Sequence, residues 1–231
     1  MSKAQPSTAC GALNRLFQAY GKKRLLKKNE QIIPLLENPK CLYLVVLGSM
    51  RVSLSNPEGD GVMCISHLKP GDMFGEQGAF DSAPMQYATA SIQARCNVEL
   101  LYITHDELKR AALNAPSIYS ELSAHINTRL GETTDKLLQL LFDDLEQRCY
   151  KSLVEITRLP DALTHPDGMQ ISLTRIELAQ MTGCTRESAG RAIRRLRDQG
   201  LIEARGSKIV VRGIRHGLPF DAQQRARTVC V

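Results

Sequence analysis

A short basic stretch in the C-terminal third carries the side chains whose types and spacing best fit a defined chemistry. At about 100° per residue, residues 186–196 predict a helix with two unlike faces. One face is apolar, and along or beside the other lie Arg186, Glu187, Arg191, Arg194 and Arg195. An arginine can donate two hydrogen bonds to guanine O6 and N7, and a glutamate can accept one from a cytosine amino group. The stretch therefore predicts a helix that reads bases in the major groove of DNA.

A second helix must position this one. Thr174 followed by Glu177 is typical of a capping box at a helix start, and Gly183 predicts the end of that helix. Thr185 is placed to cap the next helix. Two helices with so tight a break form either a helix-turn-helix or an ordinary helical hairpin with a solvated charged face. We favour the DNA-binding interpretation, with residues 208–211 as a strand of a small adjoining sheet.

The distribution of charge supports this interpretation. Residues 1–143 hold 15 basic and 14 acidic side chains, whereas residues 144–231 hold 15 basic and 10 acidic, and 13 of those 15 are arginine. A basic, arginine-rich part beside a near-neutral part indicates a nucleic-acid-binding domain attached to a second domain. The alternative is a basic solvated surface without a ligand.

Other chemistries find little support in the sequence. The seven cysteines are scattered without a C-x-x-C pair, which is typical of reduced thiols in a cytoplasmic protein, and the five histidines are equally dispersed. We therefore expect no metal site. No arrangement typical of a nucleophilic triad or a phosphate-binding loop occurs, so we expect no enzymatic activity and no catalytic residue. No stretch approaches the roughly 20 apolar residues of a membrane span, and no secretory signal is recognisable.

Short strands separated by turns dominate the N-terminal part. Apolar and polar residues alternate over 50–55, a dense turn signal follows, and further strands are predicted at 62–68, 88–94 and 98–103. This pattern favours a sandwich or barrel. Within it, Gly75 permits close approach of a ligand to the backbone, and Glu76 can accept a hydrogen bond from a sugar hydroxyl. A purely structural turn is the alternative.

A long helix is predicted between these two parts, over about 117–142. The residues Leu122, Ile126, Leu130, Thr133, Leu137 and Leu140 follow one another at intervals of 4, 4, 3, 4 and 3. Such a stripe predicts pairing with a second copy of the helix, although packing on its own domain would require the same spacing. Thr133, with Thr134 beside it, either meets a small polar ligand or bonds to a backbone carbonyl one turn back.

Two segments identify a family. Residues 163–171 (LTHPDGMQI) and 183–191 (GCTRESAGR) closely resemble the cyclic-AMP receptor branch of the CRP/FNR family of bacterial transcription regulators. Shorter matches at Gly48-Ser49, at residues 70–72 and at residues 74–78 are similar to the nucleotide-binding jelly roll of that family. The resemblance spans roughly residues 20–215.

The resemblance implies an α+β fold in four parts. An N-terminal cyclic-nucleotide-binding-like β-roll (jelly roll) would occupy residues 1–116, and a dimerisation helix with a hinge would occupy 117–143. A winged helix-turn-helix would follow over 144–215, and a mobile tail over 216–231. The implied function is a homodimeric transcription regulator that binds a TGTGA-like palindrome in double-stranded DNA, contacts RNA polymerase and acts as an activator through ligand-linked reorientation.

Site residues follow from the same resemblance. The implied DNA-binding residues are Arg186, Glu187, Arg191, Thr174, Thr185 and Ser188. The implied ligand-binding residues are Gly75, Glu76, Gln86, Tyr87, Arg95, Thr133 and Thr134. The dimer interface would consist of Leu122, Ile126, Leu130, Leu137 and Leu140.

One departure from the family concerns the effector. Gln86 and Tyr87 stand where cyclic-AMP binders carry an Arg-Ser pair that holds the phosphate, so a charge-assisted contact is lost unless Arg95 replaces it. Weak or altered cyclic-AMP binding, a different small ligand, and no ligand at all therefore remain as alternatives. A second departure is residues 34–38, which replace a glycine-containing turn. A different class of function, also kept, is a ligand-sensing module that regulates a protein partner without binding DNA.

Overall fold

A computed structural model describes residues 11–32, 40–55, 61–80 and 89–215 of the chain. Gln86, Tyr87, the departure at 34–38 and the predicted tail at 216–231 lie outside these described residues. The chain divides into two compact units, Met1–Thr134 and Asp135–Val231, and the boundary falls inside the long helix.

The first unit is a β-roll of two four-stranded antiparallel sheets. The strands are β1 (Lys22–Leu26), β2 (Gln31–Ile32), β3 (Cys41–Leu47), β4 (Met50–Ser55), β5 (Val62–Leu68), β6 (Met73–Phe74), β7 (Thr89–Ala94) and β8 (Val98–Thr104). One sheet has the order β1-β8-β3-β6 and the other β2-β7-β4-β5. The predicted jelly-roll fold is confirmed.

The two sheets enclose an apolar core. Val45 and Leu100 of the first sheet and Val52 and Ile92 of the second belong to the same buried cluster. The rings of Tyr43 and Phe74 stack at 4.7 Å between centroids, which ties β6 to the core immediately before the turn that contains Gly75. Burial of these side chains is what holds the two sheets face to face.

Helices cover the outer face of the first sheet. They are α1 (Ala12–Tyr20), α2 (His105–Asn114) and the start of α3 (Ser117–Phe142), and a 3₁₀ helix, Glu76–Phe80, lies beside them. Phe17 of α1, Leu108 of α2 and Leu122 of α3 pack with Leu42 of β3 in a second buried cluster. Because this sheet is covered on both faces, β3 is a nearly continuous apolar run.

Leu122 requires a correction to the predicted dimer interface. Its side chain is completely buried in the cluster of its own unit, and Ile126 packs against the same cluster. The N-terminal part of the α3 stripe therefore packs on its own domain. The helix itself has the predicted bounds.

The second unit is a winged helix-turn-helix, as predicted. After the end of α3 it comprises α4 (Leu145–Ile156), β9 (Leu163–His165), β10 (Gly168–Ser172), α5 (Arg175–Thr182), α6 (Arg186–Asp198), β11 (Ile202–Arg205) and β12 (Lys208–Arg212). The four strands form one antiparallel sheet of order β11-β12-β10-β9. Helix α6 contacts both α4 and α5, which together bury its apolar face.

Candidate nucleic-acid interface

The helix-turn-helix is built by local capping interactions that the sequence predicts. The hydroxyl of Thr174 accepts from the backbone N–H of Glu177 at 3.2 Å, and the Glu177 carboxylate accepts from the Thr174 N–H at 2.8 Å. Gly183 ends α5 with φ +63°, a left-handed conformation that favours glycine. Both ends of α5 are thereby fixed by local capping interactions.

Helix α6 presents the predicted faces. Ala189, Gly190, Ala192, Ile193 and Leu196 are buried. Arg186, Glu187, Arg191, Arg194 and Arg195 are all exposed. The structure therefore brings Arg186, Glu187 and Arg191 onto the exposed N-terminal half of one helix, which is the geometry that base reading requires.

A chain of hydrogen bonds orders the start of α6. Thr185 caps the helix by accepting from the Ser188 N–H at 3.2 Å and donates its own hydroxyl hydrogen to Ser188 Oγ at 3.0 Å. Arg191 Nη2 donates to the same Ser188 Oγ at 2.8 Å. Ser188 Oγ thus links the cap of α6 to the Arg191 guanidinium. Thr174 therefore caps α5, Thr185 caps α6, and Ser188 bonds to Arg191.

A charged cleft beside α6 was not predicted from the sequence. It has a volume of about 260 Å³ and is lined by Asp144, Leu145, Glu146, Ser188, Arg191, Ala192 and Arg195. Glu146 accepts hydrogen bonds from Arg195 Nη1 and, at 3.2 Å, from Gln199 Nε2, and the bond to Glu146 raises the pKa of Arg195. Glu146 lies 49 residues before Arg195, so no local pattern could have indicated the pair.

The candidate ligand site of the first unit centres on Gly75 and Glu76. Gly75 has φ +86°, and a Cβ atom at this position would lie 2.3 Å from the carbonyl oxygen of Cys41, so only glycine fits. Arg129 Nη1 of α3 contacts Glu76 Oε1 at 2.8 Å and the Met73 carbonyl at 3.3 Å. Arg129 is a residue that the sequence analysis missed, since it lies 53 residues from Glu76.

His105 supports this turn from inside the unit. It is buried at the start of α2, and its Nε2–H donates to the Gly75 carbonyl at 2.8 Å. Burial lowers the pKa of His105 below its ordinary value, with a smaller contribution from the positive charge of Lys109, although the bond to Gly75 opposes the change. A neutral imidazole therefore holds the backbone immediately before Glu76.

Among the remaining predicted ligand residues, the structure describes Thr133, Thr134 and Arg95. Thr133 and Thr134 donate their hydroxyl hydrogens to the carbonyls of Arg129 and Leu130, each at 2.9 Å, which is the backbone-bonded alternative left open above. Arg95 directly follows β7, is partly buried, and its backbone N–H donates to the Ser49 carbonyl. Gln86 and Tyr87 fall outside the described residues.

The C-terminal part of the α3 stripe differs from its beginning. Leu130 is 62% exposed and Leu137 is 55% exposed, and Leu141 one turn further is also exposed. Leu140 is partly buried within the second unit, near Gly183. Apolar side chains thus remain uncovered along residues 130–141.

Metal-binding clusters and membrane-spanning helices are both absent from the described residues. No group of three or more His, Cys, Asp or Glu side chains in the described ranges could hold a metal ion. Among the helices that the structure describes, none is long and apolar enough to cross a membrane.

Comparisons with known proteins match both units. Residues 23–114 match the model of the cyclic nucleotide-binding domain, and residues 147–215 match the Crp-like helix-turn-helix domain. The chain is 39% identical over 179 residues to the cAMP-activated global transcriptional regulator CRP of Escherichia coli O6:H1, covering 78% of this chain and 84% of that protein. It is 34% identical over 177 residues to the cAMP-activated global transcriptional regulator Vfr of Pseudomonas aeruginosa, covering 76% of this chain and 82% of Vfr.

Solved structures share the fold. The c-di-GMP responsive global regulator CLP of Xanthomonas campestris aligns with a TM-score of 0.73 at 27% identity, over 86% of this chain and 97% of CLP. TTHA1359 of Thermus thermophilus, a transcriptional regulator, aligns with a TM-score of 0.70 at 22% identity, over 88% of this chain and 97% of that one.

The neutral state of His105 generates a prediction about pH. Because the pKa of His105 is lowered in the folded state, the unfolded chain binds more protons as pH falls through about 6.5, and the folded state loses stability in that range. Urea unfolding at pH 7.5 and 5.5 should show a smaller loss for His105→Gln than for the unsubstituted protein. Equal losses in the two proteins would contradict the assignment.

Proposed function

Because the chain belongs to the CRP/FNR family of transcription regulators, we propose that it acts as a homodimer on a palindromic DNA operator with TGTGA-like half-sites. It is a DNA-binding regulator and not an enzyme, as its relatives are transcriptional regulators. A sensing module that regulates a partner without binding DNA is not favoured, since the second unit matches a Crp-like helix-turn-helix.

The observation that carries the proposal is the exposed row Arg186, Glu187 and Arg191 on α6. Arg186 and Glu187 lie in the first turn of the helix, and Arg191 follows one turn later, bonded to Ser188. Side chains at the N-terminal end of a recognition helix reach base edges in the major groove. Two arginines fit two guanines and the glutamate fits a cytosine, as a TGTGA half-site and its complement offer.

The homodimer rests on exposed apolar side chains in the C-terminal part of α3, of which Leu130 and Leu137 belong to the predicted stripe and Leu141 lies next to it. Leu130, Leu137 and Leu141 are separated by seven and four residues and are more than half exposed. Pairing with the same helix of a second copy would remove these side chains from water in a two-fold arrangement. A two-fold dimer presents two recognition helices about one DNA turn apart, which matches a palindromic operator. Contact with RNA polymerase and action as an activator belong to the same proposal, as does a cytoplasmic location.

The effector is the part of the proposal that departs from the named relatives. The Gly75–Glu76 turn offers a carboxylate to a sugar hydroxyl, which suits a cyclic nucleotide or another small ligand with a sugar-like hydroxyl. The neutral amide of Gln86 replaces the cation that would face the phosphate. We therefore infer that ordinary control by cyclic AMP does not apply to this chain. Arg95 is the candidate replacement for the lost phosphate-binding cation.

The base-reading assignment predicts a loss of specificity. Arg186→Ala should weaken binding to a TGTGA-type palindrome by about 1–3 kcal/mol and relax discrimination at one guanine, because a bidentate contact is removed. Fluorescence anisotropy at fixed salt, on this duplex and on a scrambled one, measures both effects. Arg197→Ala, at the other end of α6 beside Asp198, is the matched control. Equal losses on specific and scrambled DNA would refute the assignment.

The dimer interface predicts a change in oligomeric state. Leu130→Glu combined with Leu137→Glu should convert a dimer to a monomer in sedimentation velocity, because it buries like charges at the pairing surface. Leu113→Glu, on the exposed surface of α2, adds a similar charge outside the stripe and should leave the dimer intact. The proposed interface would be contradicted if the unsubstituted protein sedimented as a monomer, or if the double variant remained a dimer.

The missing phosphate cation predicts weak cyclic-AMP binding. Calorimetry should detect no micromolar binding by the natural sequence, and Gln86→Arg should strengthen binding by about 2–5 kcal/mol because it restores the charged partner. Micromolar binding that Gln86→Ala leaves unchanged and Arg95→Ala abolishes would show instead that Arg95 has taken over the phosphate.

A further inference from the structure

The ion pair between Glu146 and Arg195 lies beside the proposed recognition surface. Glu146 is in the first turn of α4, and its two carboxylate oxygens are bonded to one side chain of α6 and to the side chain of Gln199, the residue that follows α6. Oε1 accepts from Arg195 and Oε2 accepts from Gln199. The Glu146 carboxylate is thus hydrogen-bonded to the helix that carries the proposed base-reading residues.

The position of this carboxylate relative to Arg191 is what matters for DNA. Arg191 and Arg195 are one turn apart on α6, and Glu146, Ser188 and both arginines line the same cleft of about 260 Å³. The Arg195 side chain is 69% exposed and that of Glu146 is 26% exposed. The cleft therefore holds the carboxylates of Asp144 and Glu146 beside Arg191 and Arg195, and these two arginines are the side chains proposed to face a polyanion.

We propose that Glu146 sets the DNA affinity of the regulator by holding Arg195 away from a backbone phosphate. This inference rests on the proposed DNA-binding face. A guanidinium that is bonded to a carboxylate is neutralised, and a phosphate can take Arg195 only by displacing Glu146. The released carboxylate would then lie close to the DNA backbone and repel it. Glu146 is thus an internal competitor for one phosphate contact.

The competition acts on affinity and leaves base reading unchanged. Phosphate contacts carry no sequence information, so releasing Arg195 should strengthen binding to specific and random DNA by the same factor. It should also make binding more sensitive to salt, because each additional neutralised phosphate adds about 0.9 to the slope of log K against log salt. These two signatures separate a phosphate contact from a base contact.

The test is a set of charge-matched variants. Glu146→Gln preserves the shape of the side chain and removes its charge, and it should raise affinity about 3- to 10-fold for both a TGTGA-type palindrome and a scrambled duplex. Adding Arg195→Gln should return affinity to within about two-fold of the unsubstituted protein. Glu99→Gln, which removes a similarly exposed carboxylate paired with Lys23 in the first unit, makes the same change in net charge. Anisotropy is recorded over a salt series, with thermal unfolding as the check on folding.

The outcomes distinguish this inference from the proposed function. The role of Glu146 would be overturned if Glu146→Gln had the same DNA affinity and salt slope as Glu99→Gln. It would also be overturned if Glu146→Gln bound DNA more weakly than Glu99→Gln. A gain that persists after Arg195→Gln would overturn it as well. If the unsubstituted protein does not prefer the palindrome, yet Glu146→Gln still gains affinity and salt slope on both duplexes, the operator assignment fails and the inference stands.

Discussion

Burial of one face of α6 is the constraint on which the DNA-binding unit depends. A helix with seven exposed charged side chains has little reason to form alone, and its stability must come from packing of its other face. Ala189, Ile193 and Leu196 provide that face and are buried, helix α6 contacts both α4 and α5, and Leu153 of α4 and Leu178 of α5 are buried as well. Because a helix has a fixed angular period, fixing the buried face also fixes the direction in which Arg186 and Arg191 point.

The β-roll shows the same dependence of a site on its support. Tyr43 stacks on Phe74, Gly75 passes so close to the Cys41 carbonyl that no side chain fits, and His105 holds the Gly75 carbonyl from the start of α2. Glu76 is therefore presented by backbone that is held on three sides. A carboxylate on so fixed a turn loses little conformational freedom when it accepts a hydrogen bond, which favours selective binding of a hydroxyl.

Local signals and distant contacts differ in what the sequence reveals. The caps at Thr174 and Thr185, the left-handed Gly183 and the strands flanking residue 60 all depend on neighbours within a few positions, and all were predicted correctly. The stripe on α3 was predicted as a periodicity, but spacing alone cannot tell burial in the parent domain from burial against a second copy. Leu122 has the first environment, whereas Leu130 is exposed. The partners of Glu76 and Glu146 come from other elements some 50 residues away, so only the fold brings them together.

The two glutamate–arginine pairs differ in how readily a ligand can open them. The side chains of Arg129 and Glu76 are 23% and 19% exposed, whereas Arg195 is 69% exposed in its pair with Glu146. Separating partly buried partners leaves charges without full hydration, and this cost grows with burial. Arg129 is further retained by the Met73 carbonyl. A ligand proposed for the β-roll would therefore reach Glu76 at lower cost through a lone pair that Arg129 does not use than by displacing Arg129. In the proposed complex, DNA meets a more exposed pair, in which the Arg195 guanidinium can exchange a carboxylate for a phosphate.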